Sequence, residues 1–168
     1  LGVQLAPDPG RLAYAAPLQG SWYKQTFAHN TICIDQQNQQ HTEGKLTAFE
    51  SEPGLAIARA ECDTAYPDVM MDRTNVMTDR YLLDVFTIRA DTEHTYDWLW
   101  HNFGTLTAGL ETMPLGSPLH NANGYQHFRD ITTATTDADW SATFAIEGAQ
   151  VDLTMLGSPG TKQYFGMG

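Results

Sequence analysis

Two short segments near the start of the chain carry side chains of the kinds that ligate metal ions. His29 lies in Ala28-His29-Asn30-Thr31, at the entrance of a predicted strand over Thr31–Asp35 and on its more polar face. Asp8 begins the tripeptide Asp8-Pro9-Gly10. Each residue also has a structural interpretation. The histidine can cap the strand by hydrogen bonding, and Asp-Pro-Gly is usually a turn, because proline presets φ and glycine accepts a positive φ.

A third segment, from His94 to Asn102, carries two histidines and an aspartate close together in the sequence. On a strand, His94 and His101 would point to opposite faces because their separation is odd, so they could not reach one ion without a bulge. Asp97 and His101 would share a face. The pattern favours a structural role, in which these polar groups form hydrogen bonds among aromatic neighbours.

Composition and motifs argue against several functional classes. The sequence has no phosphate-cradling glycine loop, no serine nucleophile elbow and no cysteine-pair zinc ribbon. Its net charge of −11 repels nucleic acid and anionic membranes. Its apolar runs fall far short of the roughly 20 residues that cross a bilayer. We therefore expect neither nucleic acid nor membrane as a partner, and a polyanionic ligand would need locally placed basic groups.

Cys33 and Cys62 lie in apolar stretches and are predicted to be buried thiols.

The elements that must position these residues are strands. Alternation with period two dominates, and no window keeps helical spacing for the length of an ordinary helix. This pattern predicts an all-β, layered antiparallel β-sandwich, with a long surface loop between Gly109 and Gly124. The predicted strands are Thr31–Asp35, Lys45–Glu50, Leu55–Asp63, Val69–Met77, Arg80–Ala90, His94–Leu106, Ser141–Glu147 and Gln150–Leu156.

The run from Trp22 to Asp35 resembles a specific signature. Tyr23-Lys24-Gln25-Thr26-Phe27-Ala28-His29-Asn30-Thr31, followed by Ile32-Cys33-Ile34-Asp35, is similar to the Tyr-Arg/Lys-x-Thr-x-Ala-His-Asn-Thr, hydrophobic, Asp signature of heparinase II/III-like polysaccharide lyases. Asp8-Pro9-Gly10 with Tyr14 resembles the Asp-x-Gly and Tyr element of that group. Leu82–Phe86 and His94–His101 resemble its later strands. The continuous run from Ser21 to Thr26 is most similar to the exolytic alginate lyase branch.

The resemblance implies an architecture and a metal site. Its members combine an N-terminal (α/α)-toroid with a C-terminal layered, supersandwich-like β-sandwich, so residues 1–168 are expected to be a single β-sandwich domain and a fragment of a larger chain. In several members a zinc ion is held by this aspartate, this histidine and a His-x-His motif that would lie upstream of Leu1. Asp8 and His29 would then be two of three protein ligands of a zinc ion with a structural role.

The resemblance also implies a reaction. Such lyases cleave uronate-containing polysaccharides, such as alginate or heparin and heparan sulfate, by β-elimination. The catalytic residues are expected upstream, with none in this chain, so the isolated chain is expected to be inactive. Lys24 is expected to border the substrate cleft, or else to be a solvated strand lysine. The expected partners are the acidic polysaccharide and the toroid, in a bacterial protein of the periplasm or cytoplasm. The alternative is a non-catalytic carbohydrate-binding or scaffolding β-sandwich.

Overall fold

The structure, a computed structural model, describes residues 2–168 and is almost entirely β. Its twelve strands are connected by turns, loops and three helical turns at Gln19–Tyr23, Thr26–Ala28 and Tyr125–His127. All the pairings between strands for which a register is defined are antiparallel. The predicted all-β antiparallel fold is therefore confirmed. The strands are β1 (Ile32–Ile34), β2 (Lys45–Glu52), β3 (Leu55–Cys62), β4 (Val69–Thr78), β5 (Leu82–Ala90), β6 (Tyr96–Trp98), β7 (Thr105–Ala108), β8 (Met113–Pro114), β9 (Arg129–Thr135), β10 (Trp140–Ile146), β11 (Ala149–Met155) and β12 (Lys162–Met167).

The chain folds as two compact units. The first contains the residues up to Gln37 together with Asp97–Gly168, and the second contains Asn38–Tyr96. In the described residues, no helix is long and apolar enough to cross a membrane.

The first unit holds two three-stranded sheets, ordered β11-β10-β7 and β12-β9-β8, and β1 pairs with β6. Strand β11 shows the predicted alternation, with Val151, Leu153 and Met155 half-buried and the residues between them exposed. The aromatic rings of Trp140 and Phe165 join the two three-stranded sheets edge to face, with centroids 5.6 Å apart. One face of β11 is wet, as expected for an antiparallel sheet at the surface.

Strand β1 departs from the prediction of one apolar and one polar face. Ile32, Cys33 and Ile34 are all buried, and Cys33 has no exposed surface at all. Cys33 therefore packs into a core cluster with Phe27, Leu99 and Tyr125, and β1 is buried on both sides. Both cysteines are thiols, as predicted, but Cys62 is only half-buried.

The second unit is a four-stranded antiparallel meander, ordered β2-β3-β4-β5. The centre of its sheet carries two arginine–aspartate pairs. Arg73 donates from Nε and Nη2 to the two carboxylate oxygens of Asp84, at 2.8 Å each, and Arg59 binds Asp72. These bidentate pairs fix the alignment of neighbouring strands, because a guanidinium fork matches a carboxylate in one orientation.

One predicted strand is wrong. The expected strand His94–Leu106 is divided into β6 and the start of β7, and the residues between them leave the sheet. Gly104 has φ +106°, and a Cβ at this position would lie 2.5 Å from the carbonyl oxygen of Ala145. The chain therefore turns sharply there and re-enters as a different strand beside β10. Strands β9 and β12 were not predicted, and β8 interrupts the predicted loop.

Gln163 in β12 offers a test of the packing. Its side chain is 3% exposed, and its Nε2 and Oε1 have no hydrogen-bond partner within residues 2–168. We predict that Gln163→Met, which has a similar volume, raises the free energy of unfolding by about 1–3 kcal/mol, because a buried polar group without a partner is removed. Urea unfolding measures the change. A loss of stability in Gln163→Met would contradict the prediction.

Candidate functional site

Asp8 is presented by a tight turn, as predicted. Its Oδ1 accepts a hydrogen bond from the backbone N–H of Gly10 at 2.8 Å, and Gly10 has φ +71°. The turn uses Oδ1, so Oδ2 is the oxygen available to another partner. The side chain of Asp8 is 67% exposed.

His29 follows the 3₁₀ turn Thr26–Ala28 and caps its end. The three residues of the turn are buried, with 7%, 4% and 1% exposure, and the backbone N–H of His29 donates to the carbonyl of Thr26 at 3.1 Å. The backbone of His29 is extended, at φ −118° and ψ 155°, so the chain leaves the turn toward β1. The side chain of His29 remains 32% exposed. Its imidazole therefore lies at the surface, directly after a turn whose three residues are buried.

Asp8 and His29, 21 positions apart in the sequence, meet in space. Nδ1 of His29 lies 2.7 Å from Oδ2 of Asp8, and Nε2 lies 3.2 Å from the carbonyl oxygen of Tyr23. Since a carbonyl only accepts, Nε2 carries a proton and Nδ1 is the nitrogen that faces the carboxylate. Histidines that ligate metals usually donate their other N–H to a backbone carbonyl or a carboxylate in this way. In the neutral ring with its proton on Nε2, the lone pair of Nδ1 would lie beside the Asp8 carboxylate, and this pair of donors fits a shared metal ion.

The carboxylate of Asp8 is held in its charged form. Its slight burial would raise its pKa, but the hydrogen bonds from Gly10 and His29 and the charge of His29 outweigh that effect. The pKa therefore lies below its usual range. An ionised carboxylate is the form that binds a cation.

A third ligand is not found beside this pair. Among residues 2–168, no group of three His, Cys, Asp or Glu side chains is placed to hold a metal ion. The part of the chain that the structure describes would thus supply two donors to such a site. A complete structural zinc site almost always has four ligands in tetrahedral geometry.

Lys24 lies between Tyr23, whose carbonyl contacts His29, and the buried turn that precedes His29. Its Nζ is 4.5 Å from the centroid of the Tyr14 ring, and both side chains are exposed, Tyr14 to 89%. The ammonium is attracted by the face of the ring. The contact places a cation and an aromatic ring side by side on an exposed part of the first unit.

His94, Asp97 and His101 each form a hydrogen bond with a different partner, which is what the predicted structural role requires. His94 contacts the hydroxyl of Thr92, and the carboxylate of Asp97 accepts a short hydrogen bond from the hydroxyl of Tyr125. Nε2 of His101 lies 2.7 Å from the carbonyl oxygen of Phe27. Burial lowers the pKa of His101, so the ring is neutral near pH 7 with its proton on the nitrogen that faces this carbonyl.

Comparison with known proteins identifies the family. A sequence model described as Heparinase II/III-like, C-terminal, matches residues 2–159. The chain belongs to this family. The heparinase II/III-like chain is 34% identical over 125 residues to an alginate lyase of Stenotrophomonas maltophilia (strain K279a), and the match covers 64% of this chain and 17% of that protein.

A solved structure agrees on the fold. The crystal structure of a mutant of the heparan sulfate lyase HepC from Pedobacter heparinus superposes with a TM-score of 0.54 and 15% identity, over 96% of this chain and 27% of that chain. The chain therefore spans less than a third of the length of either relative.

The sequence did not indicate the aromatic core that supports the turn before His29. The ring of Phe27 packs against Tyr125, with centroids 4.0 Å apart, and Trp22 contacts His127 edge to face at 5.8 Å. Gly124, with φ +94°, lets the chain approach closely, because a Cβ there would be 3.0 Å from the Cβ of Phe27. Gly124, Tyr125 and His127 come from the end of the predicted loop and the turn after it, where no periodicity marks a buried side chain. The Asn123-Gly124 pair, which favours a left-handed turn, is the available signal.

The Tyr125–Asp97 hydrogen bond provides a test of this support. Tyr125→Phe leaves the half-buried carboxylate of Asp97 without this donor and should lower the free energy of unfolding by about 1–3 kcal/mol. Asp97→Asn is the matched control, because its amide oxygen still accepts from Tyr125 while its charge is absent. Denaturant unfolding of both variants measures the difference, and equal stability of Tyr125→Phe and wild type would contradict the assignment.

The same pair predicts a pH dependence. Burial raises the pKa of Asp97, the charge of Asp35 adds to the increase, and the hydrogen bond from Tyr125 opposes it. The folded state therefore binds the proton more tightly than the unfolded state. Its stabilising contribution is present below the unfolded pKa of about 3.9 and is lost as the pH rises through the folded value. Asp97→Asn should gain stability relative to wild type as the pH rises from about 4 to 7, and urea unfolding at several pH values measures the gain.

Proposed function

We propose that this chain is the C-terminal β-sandwich of a polysaccharide lyase that cleaves a uronate-containing polysaccharide by β-elimination. We propose further that it contributes Asp8 and His29 to a zinc site. Family membership over residues 2–159 supports the class of enzyme. The observation that carries the site is the 2.7 Å contact between His29 Nδ1 and Asp8 Oδ2, with Nε2 directed at the carbonyl of Tyr23.

Bound zinc would have a structural role, joining the Asp8 turn to the segment that carries His29. Asp8 would supply a carboxylate oxygen and His29 would supply Nδ1. The Tyr23 carbonyl would fix the ring and its tautomer. The third protein ligand would come from the part of the protein upstream of Leu1.

β-Elimination requires that the carboxylate of the uronate be neutralised or hydrogen-bonded, so that removal of the adjacent proton is not too costly. It also requires a group that takes this proton and a group that protonates the leaving glycosidic oxygen. We assign these roles to the upstream toroid. The role of this chain is to hold and orient the loops at the edge of that cleft.

Alginate is the favoured substrate. The alginate lyase of Stenotrophomonas maltophilia is the relative with the higher identity, and heparin or heparan sulfate is the other candidate class. A net charge of −11 opposes the approach of either polyanion, so local cations must offset it. Lys24, exposed beside Tyr14, is the proposed local contact for a substrate carboxylate.

The zinc site predicts a specific loss. In the full-length protein, His29→Ala should reduce bound zinc from about one ion per chain to nearly none, because one of few protein ligands is removed. His94→Ala is the matched control, since its ring contacts Thr92 and Tyr96. Elemental analysis after dialysis measures the metal. Equal zinc in His29→Ala and wild type would rule out His29 as a ligand.

Release of unsaturated product, followed by its ultraviolet absorbance, tests the activity in the same preparations. Full-length protein should release product from alginate or heparan sulfate, and the chain of residues 1–168 alone should release none. Product from this chain alone would place catalytic residues within it. A full-length protein without product on any uronan would favour a non-catalytic carbohydrate-binding or scaffolding sandwich.

The role of Lys24 predicts a modest effect on binding. In the full-length protein, Lys24→Ala should raise KM for the polysaccharide about two- to five-fold at low ionic strength, since exposed ion pairs contribute about 0.2–1 kcal/mol. kcat should change little, and Lys24→Arg should restore KM. Lys45→Ala, an exposed lysine on β2, is the control. An unchanged KM in Lys24→Ala would remove Lys24 from the substrate contact.

A further inference from the structure

Two adjacent residues, His101 and Asn102, bind the chain next to both proposed zinc ligands. Oδ1 of Asn102 accepts a hydrogen bond at 2.7 Å from the backbone N–H of Ala6, two residues before Asp8. Nε2 of His101 donates at 2.7 Å to the carbonyl of Phe27, two residues before His29. These two adjacent residues therefore form hydrogen bonds with the backbone two positions before each proposed zinc ligand.

Asn30 adds a second connection on the other side of His29. The backbone N–H of His101 donates to Oδ1 of Asn30 at 2.5 Å, and Nδ2 of Asn30 donates to the carbonyl of His101 at 3.3 Å. His29 thus lies between two residues that are both bonded to His101. The rings of Trp22 and Phe27 pack edge to face against the imidazole of His101, which limits its movement.

The segment that carries Asp8 has few other attachments. Within the described residues, positions 2–10 make two hydrogen bonds to the rest of the chain, one from Ala6 to Asn102 and one between Asp8 and His29. None of these positions belongs to a strand or helix. The hydrogen bond from Ala6 to Asn102 therefore anchors the backbone that leads into the Asp8 turn.

The backbone of Ala6 is consistent with such a role. Ala6 has φ +32°, a left-handed conformation that residues other than glycine rarely adopt, and its N–H is the group that Asn102 binds. Strained backbone of this kind persists only where the surrounding structure holds it, and it is concentrated at functional sites. The hydrogen bond from Ala6 to Asn102 is a contact that would stabilise this conformation.

We propose that His101 and Asn102 form a positioning clamp that sets the separation and orientation of Asp8 and His29 before metal binds. This inference rests on the proposed zinc site. Donors that are already ordered lose less conformational freedom on binding, so an intact clamp raises metal affinity. Neither clamp residue is proposed to contact the metal, and Asn102 is the member whose side chain acts on the Asp8 segment.

Metal affinity in the full-length protein tests the clamp. Asn102→Ala should weaken zinc binding about 10- to 100-fold in a competition titration with a chelator, as is typical when a residue supporting a ligand is removed. Asn102→Asp keeps the Oδ1 acceptor for Ala6 and should restore affinity to within a few-fold of wild type. Asn121→Ala, an exposed asparagine in the loop, is the control and should bind as wild type does.

Cobalt(II) substituted for zinc gives a second readout, because its visible absorption reports the ligand geometry. The spectrum should change in Asn102→Ala and return to the wild-type form in Asn102→Asp. If circular dichroism shows that Asn102→Ala is not folded, Asn30→Ala replaces it, with Asn30→Asp as its rescue variant and the same criteria.

The outcomes separate the two proposals. Wild-type protein that binds no zinc would refute the zinc site and the clamp with it. Wild-type protein that binds zinc, together with a folded Asn102→Ala variant of unchanged affinity and unchanged cobalt spectrum, would overturn the clamp while leaving the zinc site intact.

Discussion

The burial of the chain on both sides of His29 is the constraint on which the site depends. Thr26–Ala28 and Ile32–Ile34 are buried, while the residues between them are half-exposed. Large buried side chains allow few arrangements because interiors are densely packed. The short surface segment that contains His29 is consequently anchored at both ends. The side chain of His29 can ligate a metal and is partly exposed, yet the backbone of this residue has little freedom to move.

This anchoring lets a weakly attached segment take part in a defined site. Residues 2–10 belong to no strand or helix, and their position depends on hydrogen bonds to residues far along the chain, at Asn102 and His29. The hydrogen bond between Asp8 and His29 is partly exposed and would contribute little stability by itself. A metal ion at the same two donors would add a stronger connection between the same elements, and its positive charge would offset part of the net charge of −11.

The sequence predicted the strands that have one solvent-exposed face. Its signature motif also marked the segment around His29. Strand β11 alternates clearly, and β2 to β5 are bounded by turn residues such as Glu52-Pro53-Gly54. Strands β9 and β12 escaped prediction because both of their faces are partly covered. In β12, for example, Gln163 is buried while its neighbours Tyr164 and Phe165 are half-buried, so no period of two appears. The signature singled out Asp8 and His29. It could not indicate Asn102, which lies 96 positions from Ala6 and acts through a backbone contact that leaves no pattern.

The central claim is that Asp8 and His29 bind one zinc ion in the full-length protein. Diffraction data from crystals of the full-length protein, collected on both sides of the zinc absorption edge, test it most directly. We expect one anomalous difference peak that appears only above the edge, within bonding distance of both His29 Nδ1 and an Asp8 carboxylate oxygen. A zinc-replete crystal with no peak at these two atoms, or with its peak bound to other residues, would contradict the claim.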